Sequence, residues 1–165
     1  MEQVNFFENS LFKEKVEKTF LVQKKLIHEH MPEADVQHVG STAVPHSLTK
    51  GDLDIQVRVT PELFLKAVQT LSKLYDLNEG SVKTDSFRAF KDDSTIPPLG
   101  VQLTIIDSEY DFFWKFRDVL ILNDIFRVEY DELKIEFEGK EMDEYRVAKN
   151  EFFQKIMATP EFNEL

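Results

Sequence analysis

Residues 52–57, Asp-Leu-Asp-Ile-Gln-Val, fold as a strand only if one of its sides meets water or a cation. Alternate side chains of a strand share a face, so Asp52 and Asp54 project together while Leu53, Ile55 and Val57 point into a core. Two neighbouring carboxylates repel, and burying them uncompensated is costly. Mg²⁺, or Mn²⁺, is the ion whose hard-oxygen chemistry suits carboxylates joined by substrate phosphates. Upstream, residues 36–39 read as a strand that ends in Gly40-Ser41. That bend permits close backbone approach and offers a hydroxyl near an anion. The implied unit is strand, tight turn, short link and second strand, with the turn and both carboxylates at one place.

The rest of the chain sets the frame. Its 165 residues suit one domain with a real core, here rich in Phe, of which there are 15. The absence of cysteine removes disulfides, thiolate catalysis and cysteine zinc sites. No apolar run is long enough for a membrane span, and the N-terminus does not read as a signal peptide, so a cytoplasmic location is expected. A net charge of −11 argues against strong binding to duplex nucleic acid, which rewards a basic face.

Periodicity predicts an amphipathic helix over residues 11–30, with Val16, Phe20, Leu21 and Ile27 on its apolar face and Asn9 or Ser10 as cap. A strand is expected over 35–39, the Asp-x-Asp strand over 52–59, and a helix opening at Thr60-Pro61 with Leu63, Ala67, Val68, Leu71 and Leu74 buried. Residues 86–91 and 99–106 alternate as strands. Helices are expected over 110–123, 125–137 and 141–157, and a frayed tail over 159–165. The fold class is therefore α/β (α+β): a mixed sheet flanked by helices, in one domain with a core over about 10–107 and a C-terminal helical bundle over about 109–157.

Gly40-Ser41, ten intervening residues, then Asp52-Leu53-Asp54-Ile55 resembles the signature of the DNA polymerase beta-like nucleotidyltransferase superfamily. The longer run from Gly40 to Pro45 and through Lys50 to Ile55 resembles its GrpB branch. Phe116-Arg117-Asp118-Val119-Leu120, Tyr130, Leu133-Lys134, Asp143-Glu144-Tyr145 and Ala148-Lys149 continue that resemblance in the family's order.

The resemblance implies Mg²⁺-dependent transfer of a nucleotidyl group from a nucleoside triphosphate to an unknown small-molecule or macromolecular acceptor. Asp52 and Asp54 would hold the metal and carry the chemistry. Gly40, Ser41, Thr42, Lys50, Gln102, Thr104 and Arg117 would contact substrate, Arg117 as a guanidinium matched to phosphate. Superfamily members usually project a third carboxylate from a neighbouring strand, where this chain has Gln102 and Thr104; Asp107 has the opposite phase. Two-metal chemistry wants carboxylates clamping ions about 4 Å apart, so the alternative is a non-catalytic nucleotide-, phosphate- or metal-binding module. Lys134 and Lys149 read either as triphosphate contacts or as exposed lysines on acidic helices. His38 reads as a half-buried strand residue in preference to a ligand contact.

Overall fold

A computed structural model describes residues 2–165. In chain order the elements are β1 (Phe7–Glu8), α1 (Lys13–His30), β2 (Asp35–Val39), β3 (Leu48–Thr49), β4 (Leu53–Val59), α2 (Phe64–Leu74), β5 (Asp76–Leu77), β6 (Phe87–Asp92), β7 (Leu99–Ile105), α3 (Phe113–Leu122), α4 (Asp124–Phe137), α5 (Met142–Met157) and α6 (Pro160–Asn163). Five strands form a mixed sheet in the order β2-β4-β7-β6-β5, with β4 and β7 parallel and the other neighbours antiparallel. The fold class is the α/β arrangement expected.

Strand parity builds two different faces. Leu53, Ile55, Val57 and Val59 of β4 lie with Leu99, Val101 and Leu103 of β7 in one apolar cluster. Val16 and Ile27 of α1 and Phe64, Ala67 and Leu71 of α2 join it, each buried, so both helices cover this face. Leu21, expected on the inner side of α1, is exposed. The opposite face carries Asp54, Gln56 and Arg58 on β4, paired in register with Gly100, Gln102 and Thr104 on β7. A second cluster, with Val119 and Leu120 of α3, Tyr130 of α4, Phe152 and Ile156 of α5 and Phe162 of α6, builds the helical wall beside that polar face.

Three local expectations change. Asn9 does not cap α1; its side-chain amide donates to the carbonyls of Ser41 and Val44, 2.8 Å each, across the fold. Residues 48–49, at the end of the stretch expected as a short link, form a short strand against β1. The tail is ordered by α6, where Thr159 Oγ1 accepts from Phe162 N at 3.3 Å and Phe162 is buried. Among the described residues no helix is long and apolar enough to cross a membrane.

Candidate functional site

The polar face of the sheet is divided in two. At its lower half the segment before α3 seals it. Gln56 Nε2 donates to Thr104 Oγ1 (3.0 Å) and Asp111 Oδ1 (2.9 Å), and Trp114 N donates to Gln56 Oε1 (3.0 Å). Arg58 grips the same Asp111 with two guanidinium nitrogens, 2.7 Å each, and reaches Asp35 at 2.7 Å. This charge-assisted network satisfies buried polar groups that would otherwise be costly. It also removes Thr104 from consideration as a substrate contact: Thr104 is fully buried and outside the cavity, because Gln56 has captured its hydroxyl.

The upper half opens into a cavity of about 580 Å³, a size within the range of small-molecule sites, about 300–1,000 Å³. Gly40, Ser41, Lys50, Asp52, Asp54, Gln102, Arg117, Lys134 and Lys149 line it, with an aromatic wall opposite. Gly40 is what lets the turn meet the carboxylates. Its φ is +77°, and a Cβ there would stand 2.3 Å from Asp54 Oδ2. Gly40→Ala is therefore expected to lose about 2 kcal/mol or more of stability, read by urea unfolding; an unchanged midpoint would mean that the turn does not press on Asp54.

Asp54 is half-buried, and burial raises its pKa to about 6; Asp52 raises it further, while Lys149 and Lys50 act against both. The site thus strains its own acid toward the neutral form and then partly offsets that with lysines. Lys50 itself is lowered, first by burial and then by Lys149, against Asp52 and Asp54.

Two hydroxyl relays hold the loop between β2 and β4. Thr42 Oγ1 donates to the carbonyl of Asp52 at 3.0 Å, so its oxygen accepts from His38 Nε2 at 2.9 Å. Burial, and secondarily Arg117, lowers the His38 pKa to about 4, so the ring is neutral with Nε2 protonated. Thr42 lies outside the cavity lining; its role is to fix the backbone of Asp52, a correction to the substrate contact expected of it. Ser41 Oγ pairs with Thr49 Oγ1 at 2.8 Å, and Thr49 Oγ1 accepts from Gly51 N at 3.1 Å. Arg117 donates through Nη1 to the His38 carbonyl (3.0 Å) and through Nε to Asp118 (2.8 Å), which leaves Nη2 without a partner among the described residues.

Lys134 is not the exposed lysine of the simpler sequence reading. Its side chain is 1% exposed, and Nζ donates to Ser47 Oγ (2.9 Å), the Leu48 carbonyl and Asp131 (3.5 Å), above the Tyr130 ring at 3.8 Å. Asp131 in turn accepts from Leu48 N at 3.0 Å and Ser47 Oγ at 3.1 Å. Burial lowers the Lys134 pKa to about 7, against Asp131, which raises it. This pair clamps α4 onto the loop that carries Lys50 and Asp52. Sequence reasoning missed Asp131 and Asp111, and gave Asn9 a cap instead of its contact with the site loop; an acid three residues before Lys134 on one helix was the only local signal.

The GrpB protein family model matches residues 11–159. The chain belongs to the GrpB family. A UPF0157 protein of Vibrio cholerae is 34% identical to it over 131 residues, 77% of this chain and 68% of that protein. The crystal structure of GrpB from Enterococcus faecalis superposes with a TM-score of 0.66 at 17% identity, covering 96% of this chain and 95% of that one. The Cid1 RNA terminal uridylyl transferase superposes with a TM-score of 0.50 at 12% identity, over 75% of this chain and 39% of Cid1, a likeness of fold.

On this GrpB fold, Gln102 takes the position beside Asp54 and Gln56 on the neighbouring strand. Its Oε1 is buried and has no hydrogen-bond partner among the described residues. Among those residues no group of three or more acids, histidines or cysteines gathers around one point. Two carboxylates lining the cavity remain as a hard-oxygen donor set, which fits Mg²⁺, an ion that keeps several waters and takes one or two carboxylates plus substrate phosphates.

Proposed function

We propose that this protein binds a nucleoside triphosphate with Mg²⁺ in the cavity and transfers its nucleotidyl group to an acceptor hydroxyl. The observation that carries the reading is the contact of the Gly40 turn with Asp54, beside Asp52, in a cavity ringed by Lys50, Lys149 and Arg117. Asp52 and Asp54 would hold the ion, with Gln102 on the neighbouring strand. When bound, Mg²⁺ would neutralise phosphate charge and bring the triphosphate to two acids that otherwise repel it.

The chain's own groups do the rest. Main-chain N–H groups after Gly40, together with Ser41, face the phosphates; the open Nη2 of Arg117 supplies a further donor. Lys149 and Lys50 already answer the charge of Asp54, so a phosphate entering between them finds donors in place. The neutral His38 adds no charge and keeps Asp52 positioned through Thr42.

A second reading is favoured by one residue. With Gln102 where a third carboxylate would stand, the site would bind Mg²⁺ and nucleotide without turnover. Pyrophosphate release in the presence of candidate acceptors separates the two readings. Gln102→Glu is the sharper arm: for a binding module it is expected to bring pyrophosphate release up by at least about tenfold from background. For a competent enzyme the wild type releases pyrophosphate, and the added charge beside Asp54 slows it. Wild type and variant both silent, with no nucleotide bound, would reject both readings.

A further inference from the structure

The cavity is larger and more apolar than a triphosphate and its metal require. Opposite the polar floor, Phe112, Phe113, Phe116, Leu120, Phe153 and Met157 line it. These rings form one connected wall. Phe112 and Phe116 lie 5.3 Å apart by centroid, Phe112 and Phe113 4.7 Å, and Phe116 and Phe153 4.4 Å. The wall's upper edge is open, since Met157 is 39% exposed and Asn150 and Gln154, both lining the cavity, are exposed. A single nucleobase stacks on one or two rings. The rings beyond the base stay in contact with water unless a second flat body covers them, and covering apolar surface is favourable.

The charge pattern says what that body is not. A single-stranded nucleic acid follows a basic groove. Here α5, which carries Phe153 and Met157, balances Asp143, Glu144 and Glu151 against Arg146, Lys149 and Lys155 and so has no excess of positive charge, on a chain of net charge −11. Of the cations lining the cavity, Lys50 and Arg117 stand with the carboxylates, Lys134 is buried, and Lys149 bridges to the wall, its Nζ 6.0 Å from the Phe153 ring; past it the lining runs through Asn150, Gln154 and Met157, which carry no charge.

Resting on the nucleotidyl-transfer reading, we infer that the acceptor is a small molecule with a flat apolar body and a hydroxyl, seated on the Phe112–Phe116–Phe153 wall, and not a polynucleotide. In the step, the acceptor oxygen forms a bond to the α-phosphorus and the bond from that phosphorus to the α–β bridging oxygen breaks. Pyrophosphate leaves with the electron pair, and the hydroxyl proton is released to water.

The test uses the full chain with 2-naphthol as the apolar hydroxyl probe and a short oligouridylate as the nucleic-acid probe, each titrated by fluorescence with and without saturating Mg²⁺ and ATP. The expected result is saturable 1:1 binding of 2-naphthol that persists when nucleotide is bound, and no binding of oligouridylate. Phe153→Leu and, at the exposed rim where folding is not at risk, Met157→Asp are each expected to weaken 2-naphthol by about tenfold. Neither is expected to change the thermal shift given by Mg²⁺ and ATP. Displacement of 2-naphthol by nucleotide would assign the wall to the base and overturn the inference. So would failure of 2-naphthol to saturate, or competition from oligouridylate. Loss of the nucleotide shift in the wild type is a separate result, and it removes the parent reading instead.

Discussion

Asp131→Ala is expected to destabilise the protein by about 3–5 kcal/mol, more than Lys134→Met does. The alanine leaves a buried ammonium without its carboxylate, whereas the methionine removes the charge and keeps most of the volume. The clamp is also pH-sensitive in a defined direction. The Lys134 pKa is lowered from its ordinary value to about 7 in the folded state, so between about 7 and the unfolded value near 10.5 the unfolded chain binds more protons. Stability from this group therefore rises with pH through that window and is lost as pH falls through 7. Removing Asp131, which props the folded pKa up, extends the penalty to lower pH. The deficit of Asp131→Ala should shrink from pH 6 to pH 9 in urea unfolding. A deficit that is constant with pH, or smaller than that of Lys134→Met, would mean that Lys134 is not held as an ion.

Asp54→Asn is expected to act in the opposite sense on stability and to abolish function. The folded pKa of Asp54 is raised from 3.8 to about 6, chiefly by burial. Its contribution is fully present below the unfolded pKa and is lost as pH rises through 6, so at neutral pH the wild type keeps an ionised acid in a place that disfavours it. The amide removes that cost. At pH 8 the variant should be the more stable protein, by on the order of 2 kcal/mol. The gain should close as pH drops toward 4. Metal-dependent nucleotide binding should vanish in the same variant. A stabilising substitution that ends binding is the signature of an acid kept for chemistry. A destabilised Asp54→Asn would instead assign Asp54 a structural part, paired with Lys149 and Lys50.

Parity explains why so much could be read from the sequence. The alternation from Asp52 to Val59 gave both the wet and the dry face of β4, because a strand cannot turn Leu53 inward without turning Asp54 outward. The same rule placed Gln102 on the right face of β7. It failed at Thr104, which has the same phase but lies where Gln56, Asp111 and Trp114 close the face. Phase tells which side a residue takes, not how far along the strand a neighbouring helix reaches. The contacts that hold the site loop were hidden for a related reason. Asn9 reaches Ser41 and Val44 across 32 and 35 residues, and Lys134 reaches Ser47 across 87. Such pairings have no local pattern. Lys134 looked like any lysine on an acidic helix until the fold buried it against Tyr130. Likewise the four residues of α6 carry too little periodicity to announce a helix, while its anchor, Phe162, is fixed by packing against Phe116 at 5.0 Å.

Thermal shift with Mg²⁺ and each of the four ribonucleoside triphosphates tests the Asp52–Asp54 hollow most directly. Wild type should be stabilised by at least one nucleotide only when the metal is present. Asp52→Asn with Asp54→Asn together should keep the fold and lose that response. Equal stabilisation with and without Mg²⁺, or an unaltered response in the double variant, would contradict the site.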